Sequence, residues 1–207
     1  MIDNQKPTMN KKQSFFKLFL SLILINIVLL TVVMKLYNGD FDGVVNPFSA
    51  AGDYRTLAGL PNTLSMYLYS LDMAVNGLIL LVFAYKFYKK NGDSAGIVKP
   101  LLCVLAGCGF LIAGASPDDI RHPFHVLGSS MAIASLWIIA TNYIYEIRKK
   151  IKPAAYFLMQ GILQIPILAY AATYFLGVDP LSYILQKYAL AGLCIALLYP
   201  SYIKEKK

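Results

Sequence analysis

Charge is scarce in this chain: only 14% of its 207 residues are Asp, Glu, Lys or Arg, against about 25% in a typical soluble domain. So few charges cannot clothe a globular surface, which excludes an ordinary soluble enzyme, a disordered chain and a coiled coil. Histidine is rarer still, with His122 and His125 the only two. They sit in one stretch, so a haem held by histidines from two helices is excluded. The three cysteines, Cys103, Cys108 and Cys194, all fall in apolar stretches and form no Cys-x-x-Cys pair, against a disulfide framework or a thiol-redox centre. There is no phosphate-cradling P-loop, no Gly-x-Gly-x-x-Gly after a strand, no Ser-His-Asp order of a hydrolase and no His-Glu-x-x-His. No Asn-x-Ser/Thr glycosylation acceptor occurs.

What is abundant is apolar: 57% of residues are hydrophobic and the mean hydropathy is +0.56. A bilayer-spanning helix needs roughly 20 mostly apolar residues. Six segments qualify, at about 15–36, 64–85, 98–115, 124–146, 154–176 and 181–203. The expected fold is an all-α polytopic membrane protein, six transmembrane helices in one bundle. A polar tail (1–14) precedes the transmembrane domain (15–203), and a basic tail (204–207) follows it. The apolar run from Leu18 to Met34 is longer than a signal-peptide core and lacks a small-x-small cleavage site, so the first segment reads as a retained helix.

The net charge of +8 matters less than its placement. The N-tail, second loop, fourth loop and C-tail hold 15 Lys and Arg against four acids, a balance of +11. The alternate loops hold Lys35, Arg55 and Arg121 against six aspartates, a balance of −3. Cytoplasmic loops collect Lys and Arg. The pattern predicts a plasma-membrane protein with both termini in the cytoplasm, its basic loops marking topology and meeting membrane lipids rather than nucleic acid.

Ionisable residues inside a membrane are costly and therefore functional suspects. Asp72 lies about 12 Å into helix 2 at 1.5 Å per residue. Asn76 follows on the same face, and Ser65 lies near that stripe. Lys187, beside Gln186, lies at a similar depth in helix 6. Asp72 and Lys187 are expected either to pair and hold the two helices together or to line an outward-facing polar cavity. A second cluster, Asp118, Asp119, His122 and His125, has residue types that could ligate zinc or another divalent ion, or act as acid and base; solvated loop charges are the alternative. In the long first outer loop, Arg55 could grip a phosphate or pair with an outer-loop Asp. Asn62 or Thr63 is a candidate cap for helix 2, small residues such as Gly107, Gly109 and Gly114 suit helix 3 to close packing, and Pro166 should kink helix 5. Gln160, Gln164 and Asn142 read as interhelical hydrogen-bonding residues.

The stretch Gly114-Ala115-Ser116-Pro117-Asp118-Asp119, followed by His125, resembles a motif of the Frag/DRAM/Sfk-type superfamily of six-helix membrane proteins, including its prokaryotic branch of unknown function. Pro117, Asp119 and His125 carry the likeness, Asp72 and Asn76 would take the place of the family's polar patch in helix 2, and Ser116 departs from the usual aromatic. The resemblance implies the six-helix fold with a long first outer loop. Its eukaryotic members are implicated in lipid-anchor remodelling, phosphoinositide-linked trafficking and autophagy.

Three functional readings follow. The first is a non-enzymatic membrane protein whose outward pocket, lined by Asp72, Asn76, Asp119, His125, Lys187 and Arg55, binds a lipid headgroup or a small-molecule ligand. The second is a metal-dependent lipid hydrolase built on Asp118, Asp119, His122 and His125, with Asp119 and His125 as catalytic candidates. The third is a small-solute transporter. A homo-oligomer fits any of these.

Overall fold

A computed structural model describes residues 15–91 and 97–206. The N-tail 1–14, most of the Asn91-Gly92-Asp93 turn and Lys207 lie outside the described residues. Six α-helices follow one another: α1 (Phe15–Lys35), α2 (Thr63–Asn91), α3 (Val98–Gly114), α4 (Asp118–Ile147), α5 (Pro153–Phe175) and α6 (Leu181–Glu205). A short 3-10 turn, Phe48–Gly52, sits in the long connection between α1 and α2. Among the described residues there is no strand, only an isolated bridge between Arg55 and Pro61.

Five of the six helices are long and apolar enough to cross a membrane. The exception, α3, is apolar but has only 17 residues. The apolar side chains are not all turned inward. On α5, Phe157, Leu158, Ile165 and Leu168 are exposed, as expected where the surrounding solvent is hydrocarbon rather than water.

The helix termini depart from the sequence expectation in one informative place. The stretch leading into helix 4 is not a loop up to residue 123: α4 starts at Asp118, directly after Pro117. Arg121 then leaves helical geometry (φ −136°, ψ 39°), and the helix resumes through Pro123. Proline is tolerated where its missing N–H falls in the first turn of a resumed helix.

Helix α3 packs against both α2 and α4, α5 packs on α6, and α6 also touches α4. Glycine makes the α3 crossings close. A Cβ on Gly109 would stand 2.6 Å from the Gly128 carbonyl of α4, and one on Gly77 would stand 2.8 Å from the Gly107 carbonyl. Below these contacts the core is apolar. Phe19 of α1 meets the Phe83 ring edge-on at 4.9 Å and the Tyr143 ring at 6.0 Å, and Leu80, Ile139, Leu163 and Leu193 fill the space around them.

The two ends of the molecule differ in charge. At one end Glu146 of α4 is clasped by Lys99 of α3 and Lys204 of α6, both ammonium groups lying 4.8 Å from the centre of the Tyr143 ring. The other end gathers the α1–α2 connection, the α3–α4 turn and the start of α6, with Asp53, Asp118, Asp119 and Asp179.

Candidate functional site

The buried face of α2 is a stripe spaced for one side of a helix: Asn62 just before it, then Ser65, Tyr69, Asp72 and Asn76. The upper members hold the α1–α2 connection down. Ser65 Oγ lies 3.0 Å from the Val33 carbonyl and 2.6 Å from the Ala51 carbonyl. Asn62 stands at the N-cap position, its carbonyl accepting the Met66 amide at 3.0 Å, but its side chain turns to the connection: its amide donates to the carbonyls of Ala51 (3.2 Å) and Asp53 (3.0 Å), and its oxygen accepts from the Asn38 backbone amide. The 3-10 turn lies flat on Tyr69, where a Cβ on Gly52 would stand 2.2 Å from the ring.

One turn deeper, Asp72 is fully buried. Its Oδ1 accepts from the Asn76 side-chain amide at 3.0 Å, and that amide also reaches the Asp72 carbonyl at 2.9 Å. Its Oδ2 has no hydrogen-bond partner. Leaving a buried polar atom unsatisfied costs about 1–3 kcal/mol, and more for a charged group. An unpaired carboxyl oxygen buried in an apolar interior marks Asp72 as a functional suspect.

Above the stripe, the connection and α4 lock reciprocally. Asp53 Oδ1 accepts the amides of Asp118 (3.1 Å) and Asp119 (3.3 Å), so a side chain some 65 residues upstream caps the first turn of α4. In return, Asp119 Oδ1 accepts the Tyr54 amide (3.0 Å) and Oδ2 the Arg55 amide (2.9 Å). Burial first, then the nearby Asp119 and Asp118 carboxylates, push the Asp53 carboxyl up to about 7. Asp118 pairs with His122 at 2.6 Å.

The sequence-selected residues are thus divided among different tasks. Asp72 and Asn76 do meet. Lys187 does not pair with Asp72: its ammonium donates to the Asn46 carbonyl (2.7 Å) and the Tyr183 carbonyl (3.0 Å) and lies 5.0 Å from the Phe48 ring centre. Equal depth did not bring them together: Lys187 is satisfied by a carbonyl of the connection and one of its own helix. Arg55 meets Asp119 through its backbone amide, while its guanidinium donates to the Gly59 carbonyl. His125 is buried, with Nδ1 2.9 Å from the Ser116 carbonyl. A carbonyl only accepts, so Nδ1 carries a proton. Asp118 and His122 therefore face each other, Asp119 faces the connection and His125 the Ser116 carbonyl, and no group of three or more His, Cys, Asp or Glu among the described residues is arranged to hold a metal ion.

Sequence reasoning passed over Asn62, Asp53 and Gln186 as fasteners. Gln186 Oε1 accepts the Phe48 amide at 3.3 Å. The three-and-four spacing that links Asn62 and Ser65 to Asp72 was the available signal for the first; the partners of Asp53 and Gln186 lie too far along the chain to leave one. Comparison with family models, curated proteins and solved structures returns no match to this chain. The likeness to the Frag/DRAM/Sfk-type superfamily rests on its motif residues alone.

Proposed function

We propose that this chain is a six-span plasma-membrane protein with cytoplasmic termini whose buried Asp72–Asn76 pair binds a small ligand, or a lipid headgroup, that presents an ammonium or hydroxyl donor. The basic end faces the cytoplasm and the acidic end faces outward, in keeping with the placement of Lys and Arg along the chain. The observation that carries the binding reading is the unpartnered Asp72 Oδ2. Among the described residues nothing bonds that oxygen, whereas a bound donor would. Asn76 orients the carboxylate by holding its other oxygen. The likeness to a superfamily with lipid-linked members accords with a lipid headgroup as the donor.

Native mass spectrometry of the protein released from native-membrane nanodiscs tests this. The wild type is expected to retain a bound mass that Asp72→Asn loses and that Glu146→Gln, altered at the opposite end, keeps. The mass separates a lipid from a free small molecule. The same bound species in wild type and Asp72→Asn would defeat the reading.

A further inference from the structure

We propose that residues 44–62 form a strap across the acidic end and that Asp53 makes its closure pH-sensitive, tightening as the medium is acidified. The strap has attachments of different chemistry. Ser65 holds it to α2, and Tyr37 and Asn38 hold it to the end of α1, through neutral hydrogen bonds. Gln186 and Lys187 hold it to α6. Only the reciprocal lock with α4 places a carboxyl among other carboxyls.

Asp53 is the member of that lock whose carboxyl is raised by burial. Its Oδ1 takes both α4 amides, which leaves Oδ2 to carry a proton. The groups facing it are Asp118 and Asp119 of α4 and, from α2, the buried Tyr69. Among the described residues no cation pairs with Asp53: His122 is engaged with Asp118, and the Arg55 guanidinium is turned to Gly59. With the strap closed, Asp53 holds its proton up to about 7, against an ordinary value of 3.8 once it is hydrated. Closure therefore takes up a proton. Between about 7 and 3.8 each unit of acidification favours the closed strap up to about tenfold, and above about 7 closure is at its weakest and no longer changes.

The strap covers Tyr69, one turn above Asp72. If Asp72 is the binding site proposed above, on which this consequence rests, access to it opens as pH rises towards 7 and beyond.

Spin labels report the strap without any ligand, so the outcome is separate from that of the binding test. With Cys103, Cys108 and Cys194 replaced by Ala, labels are placed through Leu57→Cys on the strap and Phe124→Cys on α4, both exposed. Distances are measured by pulsed electron resonance at about pH 5 and about pH 8.5, on either side of the Asp53 transition. The expected result is one narrow distribution in acid and an added longer population in base. Asp53→Asn, which cannot ionise, should stay narrow at both. An unchanged distribution, a longer population in acid instead, or the same shift in Asp53→Asn would overturn the proposal.

Discussion

Asp119 shows how a single side chain can join two distant segments. Both of its oxygens accept backbone amides, those of Tyr54 and Arg55. Hydrogen bonds to charged groups contribute about 1.5–3 kcal/mol each. Asp119→Ala should therefore free the strap locally without unfolding the helices. Trypsin cleavage after Arg55 is expected to accelerate by at least about tenfold, the equivalent of about 1.4 kcal/mol of opening free energy, with the helical circular dichroism unchanged. An unaltered cleavage rate would mean that the remaining attachments, to α2 and α6 among them, hold the strap without Asp119. The same scale explains why Arg55 misleads: its charge suggests a phosphate grip, yet the contact that crosses to α4 is made by its backbone.

Among the elements, the α5–α6 pair depends on a coincidence of proline and glycine. Pro166 has no N–H to donate, so the Ile162 carbonyl four residues earlier loses its helical partner. Gly192 of α6 lies against that carbonyl, where a Cβ would stand only 2.3 Å away. The missing side chain lets the two backbones approach, and α5 continues as one helix across Pro166. Gly192→Ala should push the helices apart at a cost of about 1–3 kcal/mol, seen as a lower Tm in detergent; an unchanged Tm would mean the pair closes elsewhere. On the opposite side of α5, Gln164 accepts from Trp137 Nε1 at 2.7 Å and donates to Thr141 at 3.2 Å. Gln164→Leu should cost about 0.6–2 kcal/mol, the range of polar contacts between membrane helices, measured by the same melt. Of the polar residues that the sequence suggested for interhelical bonding, Gln164 does cross to α4, whereas Asn142 donates to Ile138 within its own helix.

Over the whole molecule, charge separates into a basic end and an acidic end. At the basic end one carboxylate, Glu146, serves two lysines. Glu146→Gln removes the carboxylate that two partly covered ammonium groups share and should loosen α3, α4 and α6 together. The expected sign is a drop in Tm that increases at low ionic strength, where repulsion between the lysines is least screened; a salt-independent drop would point to packing instead. For orientation, a fluorescent reporter fused after Lys207 should be bright and protected from external protease. Cleavage of that reporter in intact cells would invert the assignment of the ends.

The helices and the polarity of their ends were legible in the sequence because hydropathy and charge act locally: about twenty apolar residues make a span wherever they occur, and a loop's lysines count without reference to its neighbours. The Asp72–Asn76 pair was legible for the same reason, since residues four apart on a helix must meet. The partners of Asp53, Asp119, Gln186 and Lys187 were decided only by tertiary structure. Each bonds to backbone at least 64 residues away, and depth along a helix says nothing about the direction a side chain takes around its axis. Packing set that direction, turning Lys187 to the strap and leaving one oxygen of Asp72 with no partner.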